Sequence, residues 1–141
     1  MSTAHVLVTG EVASDRRVTA ADMDRMTSKV DDVTTQAPGA TGRAVRIADV
    51  IATARPNEEA THCTVVSAGG DYRASIPLPD LLAGGWLAFA IGEGPLPIAA
   101  GGSFRLTVAQ GSTLCWNVKQ VATLKLTSGP EPDDVPENPP H

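Results

Sequence analysis

The chain has 141 residues, enough for one domain with its own core and too few for two. Hydrophobic residues make up 42% and charged residues 19%, the balance of a folded globular domain, while aromatics at 4% leave the core to aliphatic side chains. A formal net charge of -5 with no Lys/Arg run excludes broad electrostatic binding to nucleic acid or anionic lipid, and no apolar run has the length of a membrane helix.

Residues 1–5, Met-Ser-Thr-Ala-His, carry neither a basic nor an apolar leader, so a cytoplasmic location is expected. Val6 to Val12 is a short apolar run broken by Thr9 and Gly10, which suits an opening strand and a turn into Ala13-Ser14-Asp15. Thr19 followed by Asp22 predicts a capping box, and Met23, Met26 and Val30 continue at helical spacing. Thr34 to Gly42 has no apolar period and reads as an irregular loop. Ile47, Val50, Ile51 and Ala54 form the stripe of a helix packed on a core, ended by Pro56.

His62 to Ala68 and Tyr72 to Ile76 are β-prone runs around Gly69-Gly70-Asp71, which predicts a hairpin. Leu78 to Ala83 reads as one or two helical turns closed by Gly84-Gly85, and Trp86 to Ile91 as a strand. In the strand expected from Phe104 to Ala109, Phe104, Leu106 and Val108 share one face, with Arg105 and Thr107 on the other. Leu114 to Leu126 reads as a long half-buried strand with a bulge at Gln120-Val121. From Gly129 the tail is rich in proline and acid and is expected to be disordered, leaving residues 1–128 as the single domain.

Several segments, taken in order, carry a resemblance. Val8-Thr9-Gly10-Glu11-Val12, the helix from Thr19, Arg43 to Ile51, the Ser67 to Tyr72 turn, Ile76-Pro77-Leu78, and Leu87 to Leu106 with its Pro-Leu-Pro and Arg-Leu elements follow one another. In that order they resemble the molybdopterin-binding oxidoreductase domain of the sulfite oxidase family. The resemblance implies a β-rich α+β fold of mixed sheets with a few short helices. It also implies molybdenum-dependent oxidoreductase chemistry, with the metal held by the pterin dithiolene and one protein thiolate.

This chain departs from that pattern in the positions that would do the chemistry. The thiolate belongs to the loop before the family's Trp-x-Gly segment, and here that loop, Thr34-Thr35-Gln36-Ala37, has no soft sulfur donor. Gly42 stands where the Trp would be and Ala44 where the Gly would be. In the last motif Trp116 and Gln120 replace a Lys and a Trp, and Lys119 alone survives. The long N-terminal lead and the C-terminal immunoglobulin-like domain of the family's larger members are not expected here.

The resemblance implies that Arg43, Arg105, Asn117 and Lys119 are the residues for a cofactor phosphate or a small anion. The structural alternative for Arg105 is a carboxylate partner that braces the Gly101-Gly102 loop. No catalytic residue and no metal ligand is assigned: His5, His62 and His141 are scattered, and Cys63 and Cys115 read as buried thiols on strands. Ser67, Ser75, Ser103 and Ser112 lack a nucleophile-elbow context, and Trp86 and Trp116 read as core. Two functions follow. One is a small-ligand-binding or structural module of the sulfite oxidase fold, without thiolate-held molybdenum and with a small anion or a protein as partner. The other is a molybdopterin-dependent oxidoreductase that still binds the cofactor, with the metal held by the dithiolene and oxo ligands alone or with a partner subunit completing the site.

Overall fold

Two sheets carry the chain in the computed structural model, which describes residues 4–33, 42–70, 72–92, 94–108 and 118–130. In the first, strand β1 (His5–Gly10) pairs antiparallel with β2 (Arg16–Thr19) and parallel with β9 (Val121–Thr127). Strand β9 pairs antiparallel on its other side with β4 (His62–Ser67), and β4 with β5 (Arg73–Pro77), for the order β2-β1-β9-β4-β5. The second sheet is built on β6 (Gly85–Ile91), with β3 (Arg43–Arg46) along one edge and both β7 (Gly94–Pro95) and β8 (Arg105–Val108) along the other.

Side-chain alternation sorts these strands into faces. Val6, Val8, Val65, Leu124 and Leu126 of the first sheet meet Val45, Leu87 and Leu106 of the second in one buried cluster. Three short helices close it: α1 (Ala20–Asp24), α2 (Ile47–Ala52) and α3 (Leu78–Gly84), which bury Met23, then Ile47, Val50 and Ile51, then Leu78 and Leu81. The opposite face of the second sheet has its own smaller cluster, in which Val33 and Leu96 cover Ala44, Trp86 and Ala88.

The expected hairpin, the helix after Pro77 and the strands beginning near Trp86 and Arg105 are all present. The capping box is too: Thr19 Oγ1 accepts from the Asp22 amide at 3.2 Å while Asp22 Oδ2 accepts from the Thr19 amide at 3.0 Å. The helix that follows is shorter than its apolar spacing predicts, ending at Asp24 and leaving Met26 and Val30 outside it. Val30 exchanges backbone hydrogen bonds with Ala44 instead, at 2.8 and 3.1 Å, so bridging to β3 wins over continuing the helix. Three strands were not foreseen, the two-residue β7 among them. Both β2 and β3 are four residues long, carry two arginines each, and exist because β1 and β6 supply hydrogen-bonding edges.

The last strand is described from Val118. Val118 bridges Leu106 of the second sheet, Gln120 turns with φ 54°, and from Val121 the chain joins the first sheet as β9. The break expected at Gln120-Val121 is therefore where one segment passes from one sheet to the other. The loop at 34–41, Cys115, Asn117 and the tail from 131 lie outside the described residues. No helix is long and apolar enough to cross a membrane among those described.

Candidate functional site

Residues paired across a ladder share a face, and this rule assembles a polar strip on the far side of the second sheet. One row runs Ala44, Ala88, Arg105, and the next runs Arg46, Trp86, Thr107. Leu106, between Arg105 and Thr107, points to the main core and is fully buried. Val118 exchanges backbone hydrogen bonds with Leu106 at 2.8 and 2.9 Å, so Lys119, the next residue, comes beside Arg105.

The Gly101-Gly102 loop fixes how those two cations approach. After a single 3-10 turn at Ile98–Ala100, Gly101 takes φ 96°, a conformation side chains resist. A Cβ there would lie 2.8 Å from Arg105 Cδ and 3.3 Å from Lys119 Cγ, so the two side chains flank the bare glycine. At Gly102 a Cβ would collide with the Leu96 carbonyl. The loop is pinned from its other side, where the Gln120 amide donates to the Gly101 carbonyl at 2.8 Å and the Ala68 amide donates to the Gln120 carbonyl at 2.7 Å.

Arg105 is half-buried, and its Nε is sealed from solvent with no hydrogen-bond partner. No carboxylate among the described residues forms the bracing ion pair considered for Arg105. Lys119 is exposed. Thr107 is only 8% exposed, and its Oγ1 is likewise buried without a partner. These two are the only buried side-chain polar atoms so left among the described residues, and both lie on one face of β8.

Arg43 does not join this group. Strand β3 runs along the opposite edge of β6 from β8, and the Arg43 guanidinium is held by Asp24 at 3.3 Å and by the Gly92 carbonyl at 2.7 Å. It lines a separate hollow of about 300 Å³ with Ala20, Phe89 and Pro95. Asn117 lies outside the described residues. Thr107 is not among the candidates named from the sequence, although strand alternation puts it on the Arg105 face.

A second opening, of about 610 Å³, adjoins the glycine loop where the chain crosses between the sheets, and His5, Leu7, Ser103, Phe104 and Gln120 are among its walls. Ile98 on its rim is 75% exposed. Cys63 lies elsewhere, on β4 facing the main core, fully buried, and burial pushes its thiol up to about 12. Among the described residues no three His, Cys, Asp or Glu side chains come together as a metal site.

The family model described as the oxidoreductase molybdopterin binding domain matches residues 2–134. The crystal structure of the sulfane dehydrogenase SoxCD from Paracoccus pantotrophus superposes with a TM-score of 0.67 at 17% identity, over 90% of this chain and 39% of that one. The architecture is thus the sulfite-oxidase-type fold, and the chain spans well under half of the solved relative. No curated protein sequence matches the chain.

Proposed function

Since the chain belongs to the oxidoreductase molybdopterin-binding domain family, we propose that it uses the family scaffold to bind a small oxyanion through Arg105 and Lys119, without molybdenum held by a protein thiolate. The observation that carries this reading is the Arg105 Nε, buried and unpartnered beside Gly101 and Lys119. A guanidinium donor kept from both water and carboxylate is costly unless an acceptor arrives, and a phosphate-type oxygen is the acceptor it matches best.

The same residues test the cofactor. Molybdopterin presents a phosphate at one end and a dithiolene-held metal at the other. Arg105 and Lys119 suit the phosphate. Among the described residues the metal finds no thiolate, because Cys63 is sealed in the main core with its thiol protonated, and residues 34–37 contain no sulfur in the sequence. The fit is to an oxyanion, and no redox step is derived for this chain.

Titration calorimetry with inorganic phosphate tests the anion site, together with molybdenum analysis of protein made in a host that synthesises the cofactor. Binding is expected to weaken about 10–100-fold in Arg105→Gln, the usual cost of deleting a charge-assisted hydrogen bond, and less in Lys119→Gln. Stoichiometric molybdenum in the purified protein would overturn the metal-free reading. Phosphate binding indifferent to Arg105, or absent, would overturn the anion reading.

A further inference from the structure

We propose that the Arg105–Lys119 site continues inward along β8 to Thr107, and that its ligand is two-headed, with an anionic group at one end and a hydroxyl oxygen at the other. This rests on the anion reading of Arg105 and adds a second anchor to it.

Thr107 is the unexpected member. On a strand its hydroxyl has water or neighbouring backbone to bond when it is exposed, yet at 8% exposure Oγ1 reaches neither. It stands two residues from Arg105, so the same face of β8 presents both orphaned atoms. Their neighbours across the ladder differ in kind. Ala88 on β6 stands beside Arg105, with Ala44 one strand further on, and offers only a methyl group, while Trp86 stands beside Thr107 and walls the inner end. The outer end is open, because Lys119 is exposed.

The spacing sets the size of the ligand. Residues two apart on a strand have Cα atoms about 7 Å apart. Arg105 Cδ packs at Gly101, ahead of the strand, so its guanidinium leans away from Thr107 and the span to be bridged is about 7–9 Å. An anion alone reaches only the outer anchor. A phosphate monoester carrying a hydroxyl about four or five carbons along an extended chain reaches both. Among the described residues, Leu96 and Val33 belong to the cluster that covers this face.

The test uses the full chain and three sets of probes: inorganic phosphate, linear alkyl phosphates of two to six carbons, and the same phosphates bearing a terminal hydroxyl. The hydroxyl is expected to tighten binding about 5–10-fold at about four or five carbons and to do nothing at two. Thr107→Val, close in shape and able to fold, should erase that gain while leaving inorganic phosphate unchanged, and Thr107→Ser should keep it. No hydroxyl-dependent gain at any length, or a gain that survives in Thr107→Val, overturns the second anchor while the anion site stands. Failure of inorganic phosphate to bind through Arg105 removes the first anchor, and this proposal falls with it.

Discussion

At the scale of single residues, the polar strip on β8 trades stability for an unmet bonding capacity. A buried hydroxyl with no partner costs about 1–3 kcal/mol relative to its solvated state, and an apolar group of the same shape carries no such penalty. Thr107→Val should therefore stabilise the ligand-free protein by on the order of 1 kcal/mol, read as a higher midpoint in urea at unchanged slope. A lower midpoint would mean that Oγ1 already has a partner. Cys63 shows the opposite use of burial. Its thiol ordinarily ionises near 9.0, and complete burial pushes it to about 12 in the fold. The unfolded chain therefore loses this proton first as pH rises, so the contribution of Cys63 is intact below pH 9.0 and is lost between there and about 12. Stability should fall across that window in the parent, and fall less in Cys63→Ala once both are referred to their own value at pH 8. Below it, Cys63 should react with thiol reagents only on unfolding.

At the scale of elements, helix ends and strand edges decide what a sequence can announce. Helix α3 ends against a charged side chain from another element, since Arg46 Nη2 donates to the Leu82 and Ala83 carbonyls at 3.0 and 2.8 Å. The same guanidinium lies 5.4 Å from the Trp86 ring centre. Lysine offers one point charge in place of a planar fork, so Arg46→Lys should cost about 1–2 kcal/mol in denaturant unfolding, with Arg46→Met costing at least as much. A change within a few tenths would mean that solvent serves the two carbonyls equally well. None of this was readable from Arg46 itself, whose partners lie 36 and 37 residues away. The strand of Arg105 was readable, because period-two alternation needs only neighbours in sequence. Its inward-facing Leu106 and its outward-facing Arg105 and Thr107 follow from that alone. Arg16–Thr19 and Arg43–Arg46 gave no such signal, being too short and too charged to alternate. Their strand state comes from the edges they complete. The site was legible in the same uneven way: Arg105 and Lys119 were named from motif order, but whether a donor is left without an acceptor depends on every element around it. Arg43, chosen on the same grounds, is neutralised by Asp24 from α1, which no local pattern indicates.

At the scale of the whole molecule, the crossing from the second sheet into β9 of the first runs through a residue in an unfavourable conformation. Gln120 has φ 54°, where a side chain with a Cβ is strained and a β-branched one more so. Its amide holds Gly101 of the glycine loop, and its carbonyl holds Ala68 just after β4, so the turn ties the candidate site to the five-stranded sheet. Two residues before it, Val118 bridges Leu106 of the second sheet; immediately after it, Val121 begins the strand that lies between β1 and β4 in the first. Gln120→Gly removes the steric strain at the cost of a freer unfolded chain, so the two effects should nearly cancel, within about 1 kcal/mol. Gln120→Val keeps every backbone hydrogen-bonding group but forces a β-branched side chain into the left-handed region, and should cost about 1–3 kcal/mol. The readout that separates a joint from an ordinary turn is phosphate binding, measured well below the unfolding midpoint. If Gln120 only closes a turn, both variants bind phosphate as the parent does. If it sets the position of Gly101 between Arg105 and Lys119, Gln120→Val binds several-fold more weakly while still folded, and Gln120→Gly retains the parent affinity because its backbone can hold the same geometry.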